Sequence, residues 1–287
     1  MRVTGATKTV PTAVTDDEFR KFCDFIYRRT GMSFGDSKRY FIEPRLLERV
    51  AETESSGVQS YLSLLRFDAT GRELEVIVNA LTVNETYFYR EEHQFACLTR
   101  SILPDLVKRK RPGEPVRIWS LPCSTGEEPY SLAIWLLEHW SEVDRWDIQI
   151  LASDIDTRVL ERAREGIFDA RSVNRLPKAV LGRYFQPMLD DRWRILDTLR
   201  GSIDFSRVNV SDRGQMAAFR DIDVIFCRNM LIYFDDVSRR EAAESMFHCL
   251  RPGGFICLGH SESMSRFSSL FDVRRFEDAI VYQRPFT

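Results

Sequence analysis

Residues 116–137 read VRIWSLPCSTGEEPYSLAIWLL. Val116 to Leu121 is a short run of β-branched, aromatic and aliphatic residues, the mark of a buried strand. Leu132, Ala133, Leu136 and Leu137 then recur at helical spacing. Between them Pro122 to Pro129 makes a tight turn with one glycine, two hydroxyls and two carboxylates. A strand that turns sharply into a helix is where an α/β sheet binds its ligand, at the carboxyl end of the strand. Phosphate cradles at such turns carry several glycines or a lysine and use the positive helix N-terminus. This turn has no second glycine and no lysine, and Glu127 and Glu128 would repel phosphate. The expected ligand is a positively charged small molecule.

The bulk composition narrows the class. A chain of 287 residues accommodates one large domain or two ordinary ones. With 44% hydrophobic and 29% charged residues it reads as a soluble globular protein. A net charge of −2 gives no global pull towards nucleic acid or anionic membrane. The six cysteines have no paired short spacing and several sit in apolar runs, so reduced, buried thiols are expected in a cytoplasmic protein. The four histidines pair with no cysteine at ligand spacing, so no metal is expected. The first residues lack the apolar core of a signal peptide, and no run approaches the length of a membrane span.

Residues 1–14 read as a flexible tail. A helix starts at Thr15, where TDDEF offers a hydroxyl cap and early carboxylates, and ends at Gly31. A second helix is expected over 37–50, with Pro44 kinking it or marking its start. Lys38, Ile42, Arg45 and Arg49 share one of its faces by their offsets. Short helices follow near 58–65 and 71–82, so 15–82 is a small all-helical unit. Residues 83–92, with the three consecutive aromatics Tyr87, Phe88 and Tyr89, form a linker within LTVNETYFYREEHQF, and a helix runs from about 91 to 110. The run KRKRPGEP reads as a solvated basic loop. From 116 onward strands (148–153, 222–227, 255–259, then one or two within 273–284) alternate with helices (157–165, 237–250). This predicts a mostly parallel, doubly wound sheet in a domain spanning 93–287. The segment about 183–203 breaks the rhythm as a small antiparallel excursion.

Asp154 ends the second strand, 28 positions after Gly126. An acid there can accept both ribose hydroxyls of a nucleoside, or can merely cap the next helix. Beside an acidic, glycine-poor turn the nucleoside reading gains weight. Adenosine joined to a cation points to S-adenosylmethionine, with its positive sulfonium and amino group.

STGEEPYS, ASDID, IFCRNMLIYF and the later GHSE, with NETYFYRE before them, resemble the chemotaxis receptor glutamate methyltransferases of the CheR type. The resemblance covers about residues 15–285, with every motif in order. It implies a seven-stranded S-adenosylmethionine-dependent methyltransferase fold behind an all-helical N-terminal domain. It implies methyl transfer to glutamate side chains on cytoplasmic helices of chemotaxis receptors, giving γ-glutamyl methyl esters and S-adenosylhomocysteine. Residue by residue, it places Asn84, Thr86, Arg90, Glu128, Asp154, Asn209, Val210, Cys227 and Arg228 at the cofactor. Arg90 and Tyr233 stand at the transferable methyl, and Lys38, Arg45 and Arg49 at the receptor helix. Glu127 is expected only to start its helix. The protein is expected to be a monomer that inserts in no membrane. Some relatives tether to a receptor tail through a glycine-rich turn in the antiparallel excursion. Here FQPMLDDRW is short and has no glycine, so no tether is expected.

The chemistry needs little from side chains, because a glutamate carboxylate is already ionised at neutral pH. Alignment and exclusion of water do the rest. Cys227 and Ser261 lack a base and an orienting partner, so no covalent intermediate is expected. Two rivals remain at this level: a methyltransferase for nucleic acid or a small molecule, supported only by KRKR, and a cofactor-binding module without catalysis.

Overall fold

A computed structural model of the chain describes residues 13–111 and 113–286. Most of the expected tail, residues 1–12, lies outside them. Val14 is already packed: its side chain is buried, its N–H donates to Glu43 Oε1 at 3.1 Å, and its carbonyl accepts from Arg39 Nη2. The chain divides into two units, one ending at Val83 and one starting at Asn84.

The first unit is helical: α1 (Asp16–Thr30), α2 (Arg39–Glu52), α3 (Val58–Phe67) and α4 (Arg72–Leu81). A capping box opens α1, with Thr15 Oγ1 accepting from the Glu18 N–H while the Glu18 carboxylate accepts from the Thr15 N–H. Gly31 closes it in the left-handed region at φ 75°. Phe19, Phe22, Phe25 and Ile26 form the buried stripe. Helix α2 begins two residues later than expected, because Asp36–Lys38 forms a 3-10 turn, and Pro44 lies inside the helix.

Lys38, Ile42, Arg45 and Arg49, expected to share one face of this helix, have unequal surroundings. Lys38 precedes α2 and is exposed, while Ile42 between them is fully buried. Arg45 stacks on the Phe41 ring at 3.7 Å and donates to the carbonyls of Ala80 at 2.8 Å and Phe41 at 2.6 Å. Arg49 is bidentate to Glu73, at 2.9 and 2.8 Å, and also bonds Glu52. Glu73 accepts in addition from the buried Tyr61 hydroxyl at 2.7 Å. The face borders the core, so its arginines reach α4 and the ends of their own helix.

The second unit holds the strands β1 (Val116–Ser120), β2 (Ile148–Asp154), β3 (Ile167–Asp169), β4 (Phe185–Pro187), β5 (Arg192–Ile195), β6 (Ile203–Arg207), β7 (Ile222–Cys227), β8 (Leu250–Leu258), β9 (Asp272–Arg275) and β10 (Ile280–Gln283). Seven form one sheet in the order β6-β2-β1-β7-β8-β10-β9. The pairs from β6 to β8 are parallel, and β10 runs antiparallel to both β8 and β9. Ile118 sits opposite Ile150 on one side and Val224 on the other, so β1 is central. The chain moves outward from β1 to β2 and β6, then returns to β7 on the far side of β1. Right-handed crossovers in opposite directions put helices on both faces and leave a crevice where the order reverses. The helices that matter most are α5 (Glu92–Cys97), α6 (Leu103–Val107), α7 (Glu127–His139), α8 (Thr157–Glu165) and α9 (Asp236–Cys249).

Four local expectations change. The helix expected over 91–110 cannot begin at Glu91, whose φ is 57°, and a π-helical turn at Leu98–Ile102 interrupts it before it ends at Val107. The antiparallel excursion starts earlier than 183. Its sheet has the order β3-β5-β4, and β3 follows directly on Gly166. β8 starts at Leu250, so RPGG belongs to a strand with a register shift and not to a helix end. The basic run is partly inside: Lys110 Nζ meets Asp223 Oδ2 at 2.9 Å with side-chain exposures of 4% and 0%. A fully buried aspartate on β7 needs a counter-charge, and Lys110 supplies it. Among the described residues no helix is long and apolar enough to cross a membrane.

Because Arg49 satisfies Glu73 with two hydrogen bonds, Arg49→Ala is expected to lower stability by about 1.5–3 kcal/mol. Urea denaturation of the full chain checks this, and an unchanged midpoint would show the pair to be inert.

Candidate active site

The turn after β1 is held by its neighbours. Gly126 has φ 98°, and a Cβ there would lie 3.0 Å from both the Ala163 Cβ on α8 and the Tyr130 ring on α7. Only glycine permits that approach. Ser124, at φ 48°, donates its N–H to Asp154 Oδ2 at 2.9 Å and its hydroxyl to the Asn84 carbonyl at 3.3 Å. Asn84 Nδ2 donates to Asp156 Oδ2 at 3.0 Å. The Asp156 carboxylate caps α8, so the capping role considered for Asp154 falls to the next acid along. Thr86 is half-buried in the same segment. Asp154, at the carboxyl end of β2, is 3% exposed. Burial pushes its carboxyl up to about 6, against the pull of N–H groups from Asp156 and Ser124.

Past β6 the chain stays at this edge. The Val208 N–H donates to the Asp154 carbonyl at 3.0 Å. Asn209 follows, its N–H donating to Gln215 Oε1 at 2.9 Å and its Oδ1 accepting from the Ser211 N–H at 3.0 Å. Val210 is buried.

β7 ends at Cys227, fully buried, with burial pushing its thiol well up, so it is no nucleophile. Arg228 comes next, its side chain 3% exposed. Its Nη1 bonds Glu128 Oε2 at 2.8 Å; its Nη2 bonds the Arg90 carbonyl at 2.5 Å and lies 3.5 Å from Glu91 Oε2. Glu128 Oε1 accepts from the Ser120 hydroxyl at 2.7 Å. Glu91 in turn accepts from Gln94 Nε2 at 2.7 Å and contacts His260 Nδ1 at 3.1 Å. Burial raises the Glu128 carboxyl above its ordinary value, with Arg228 and Ser120 opposing. Burial also acts upward on Glu91, but Arg228 and His260 together hold that carboxyl below its ordinary value. Two acids face one guanidinium, so the cluster carries an excess of negative charge that suits a cationic ligand. Glu127 turns away to bond Thr125 and Ser172 hydroxyls at 2.6 and 2.7 Å.

At the rim, Arg90 donates to the Glu85 carbonyl at 2.8 Å and faces the Tyr87 ring at 5.8 Å. Its charge reaches Tyr233, in the 3-10 helix Leu231–Tyr233: burial raises that phenol above its ordinary value and Arg90 opposes the rise. The sequence-derived set from Asn84 to Tyr233 therefore gathers along the carboxyl ends of β1, β2, β6 and β7. Glu91, Gln94, His260 and Glu262 were given no role from sequence, although GHSE was singled out as a motif.

A family model described as "CheR methyltransferase, SAM binding domain" matches residues 84–280, and one described as "CheR methyltransferase, all-alpha domain" matches 17–82. The chain belongs to the CheR methyltransferase family. It is 51% identical over 272 residues to "Chemotaxis protein methyltransferase 2" of Vibrio cholerae, covering 95% of this chain and 94% of that protein. The "Chemotaxis protein methyltransferase" of Salmonella typhimurium is 36% identical over 91% of this chain and 89% of its own length. That of Escherichia coli is 35% identical, over 91% and 90%. The chain is thus an S-adenosylmethionine-dependent methyltransferase of the chemotaxis class, and its fold is the one the sequence implied. The donor set fits this cofactor: a desolvated acid at the end of β2 for hydroxyl donors, and surplus negative charge beside β7 for a cation.

Hydroxyl donors to a carboxylate favour its ionised form and lower its pKa. A cofactor held through Asp154 would therefore release a proton on binding wherever the free carboxyl is protonated. Cofactor affinity is expected to be flat above pH 7 and to fall by up to about tenfold per unit below pH 6. Asp154→Asn, which keeps an acceptor, should bind more weakly and lose that slope. Calorimetry from pH 5 to 8 measures both, and an equal slope in the mutant would remove Asp154 as its origin.

Proposed function

We propose that this chain methylates glutamate carboxylates on the cytoplasmic helices of chemotaxis receptors, as a monomer in the cytoplasm. The reading is carried by one observation. The deep end of the site is acidic around Arg228, while its rim offers a guanidinium and a phenol, Arg90 and Tyr233. An anionic acceptor and a cationic donor are thus each met by opposite charge. The names of the relatives support a chemotaxis protein as substrate.

Asp154 would hold the ribose, Asn209 and Val210 the adenine, and Asn84, Thr86, Glu128, Cys227 and Arg228 the amino-acid part, with Arg90 beside it. Bound S-adenosylmethionine supplies a methyl group on a positively charged sulfur and leaves as S-adenosylhomocysteine. A glutamate carboxylate, with a reference pKa of about 4.3, needs no general base at neutral pH. Arg90 draws that carboxylate in by a charge-assisted hydrogen bond. Tyr233, kept as the neutral phenol by burial, donates to it and fixes its direction. Alignment and exclusion of water then lower the barrier. In the first unit Lys38, Arg45 and Arg49 remain the proposed receptor contacts, with only Lys38 exposed.

Tail tethering is not part of this proposal. The turn after β4 is made without glycine, by Asp190 and Asp191 at φ 59° and 52°. Aspartate tolerates this region, so a missing glycine alone does not forbid the turn. The stronger argument is the edge itself. The two outer strands, β3 and β4, are three residues each, and β4 ends in Pro187, which has no N–H.

Incubation with labelled S-adenosylmethionine and receptor fragments should place base-labile methyl esters on glutamates, and none where glutamate is replaced by glutamine. Arg90→Ala and Tyr233→Phe should lower kcat by about 10²-fold or more. Label on nucleic acid instead would select the rival substrate class. Isolated receptor tail peptides should show no binding in calorimetry, and a micromolar affinity would reinstate the tether.

A further inference from the structure

We infer that Glu262 is a positioning residue, whose carboxylate gathers the backbone of the turn after β7 and so sets where Tyr233 stands. This rests on the role proposed above for Tyr233. The inference accounts for GHSE, residues 259–262, which follows β8.

Glu262 Oε2 accepts from the Asn229 N–H at 2.8 Å and from the Gly259 N–H at 2.9 Å. Burial raises the Glu262 carboxyl above its ordinary value, and the N–H groups of Asn229, Gly259, Leu231 and Ile232 oppose the rise. One carboxylate thus faces N–H groups across the segment that leads from Arg228 to Tyr233. Asn229 is in the left-handed region at φ 59°, which asparagine tolerates better than most residues. The segment then closes on itself, with the Tyr233 N–H donating to the Met230 carbonyl at 3.1 Å. The Asn229 and Gly259 bonds both fall on Oε2, and Oε1 is buried with no hydrogen-bond partner.

Gly259 completes the bracket. A Cβ there would lie 2.9 Å from both Asn229 Nδ2 and Glu262 Oε2, and 3.1 Å from the Asn229 nitrogen. The end of β8 can approach the turn after β7 only with hydrogen at that position. β7 and β8 are neighbours in register, Cys227 opposite Leu258, so the bracket ties two adjacent strand ends. Arg228 is anchored separately, by Glu128, Glu91 and the Arg90 carbonyl. Loss of Glu262 therefore releases the Tyr233 side of the turn and spares the cofactor side.

The test is a double-mutant cycle in the full-length protein, with receptor fragment as acceptor and S-adenosylhomocysteine as the binding probe. Glu262→Ala is expected to lower kcat by about 10²-fold, with S-adenosylhomocysteine Kd within about threefold of wild type. Glu262→Gln, which keeps one acceptor, should recover most of the lost rate, and Gly259→Ala should mimic Glu262→Ala. Tyr233→Phe should cost little more once Glu262 is alanine, because both changes remove the same contribution. Where Glu262→Ala does not fold, the cycle is run with Gly259→Ala. Full additivity with an impaired Tyr233→Phe overturns this inference alone, as does an unchanged kcat in folded Glu262→Ala or Gly259→Ala. An unimpaired Tyr233→Phe overturns the proposed role of Tyr233 and this inference with it.

Discussion

The guanidinium of Arg228 is the constraint on which the carboxyl edge of the sheet depends. A buried cation is tolerated only with compensating acids and hydrogen bonds. Glu128 supplies the first from the start of α7, and Glu91 a second from the residue before α5. The Arg90 carbonyl adds a neutral acceptor, and the Phe95 ring lies 5.6 Å away. One side chain at the end of β7 thereby fixes the turn after β1 and the segment 84–91 in a common geometry. Since two carboxylates answer one cation, the site retains negative charge after its internal pairing is complete. That surplus is the electrostatic reason for a cofactor that carries its reactive group on a cation.

A second buried ion cluster shows what a purely structural one looks like. Asp223, near the amino end of β7, meets Lys110 at 2.9 Å, Arg251 at 3.2 Å and the Arg117 N–H at 2.8 Å. Its charge is fully answered. At the carboxyl end Arg228 Nε, Gln94 Oε1 and Glu262 Oε1 are buried without a partner, and so is Arg284 Nε beside Leu250 at the other end of β8. Unmet polar atoms therefore occur at both ends, and what distinguishes the carboxyl edge is its surplus of acids around Arg228.

The sheet was legible because its strands are short apolar runs punctuated by acids and turns, and 222–227 and 157–165 have the bounds the pattern gave. Asp154 was legible because its position at a strand end already implies a chemistry. β3 was not, since three residues after a helix-ending glycine carry no periodicity of their own. The surroundings of Arg45 and Arg49 on α2 were not legible for a related reason. Helical offsets place residues on a side but do not say whether that side meets solvent, and here Ile42 and Glu73 decide it. Lys110 was hidden inside a charge run because its partner, Asp223, is more than a hundred positions away.

Backbone strain explains why the site itself resists reading from local sequence. Among the described residues, eight that are not glycine have positive φ, and four of them, Tyr89, Glu91, Ser124 and Asn229, lie along the carboxyl edge. Local propensity opposes these conformations at Tyr89, Glu91 and Ser124, and less so at Asn229. Each is over-determined by what lies next to it: the Tyr89 N–H donates to Ser131 Oγ, the Ser124 N–H to Asp154 and the Asn229 N–H to Glu262, while Glu91 is bound by Gln94 and Arg228. The partners are distant in sequence for all but Glu91 and Gln94. Strain of this sort persists only where tertiary contacts enforce it, and it gathers where groups must be presented at fixed angles. The acids and turns of this edge are therefore conditions for one another, so a motif such as GHSE acquires meaning only when the strand beside it is in place.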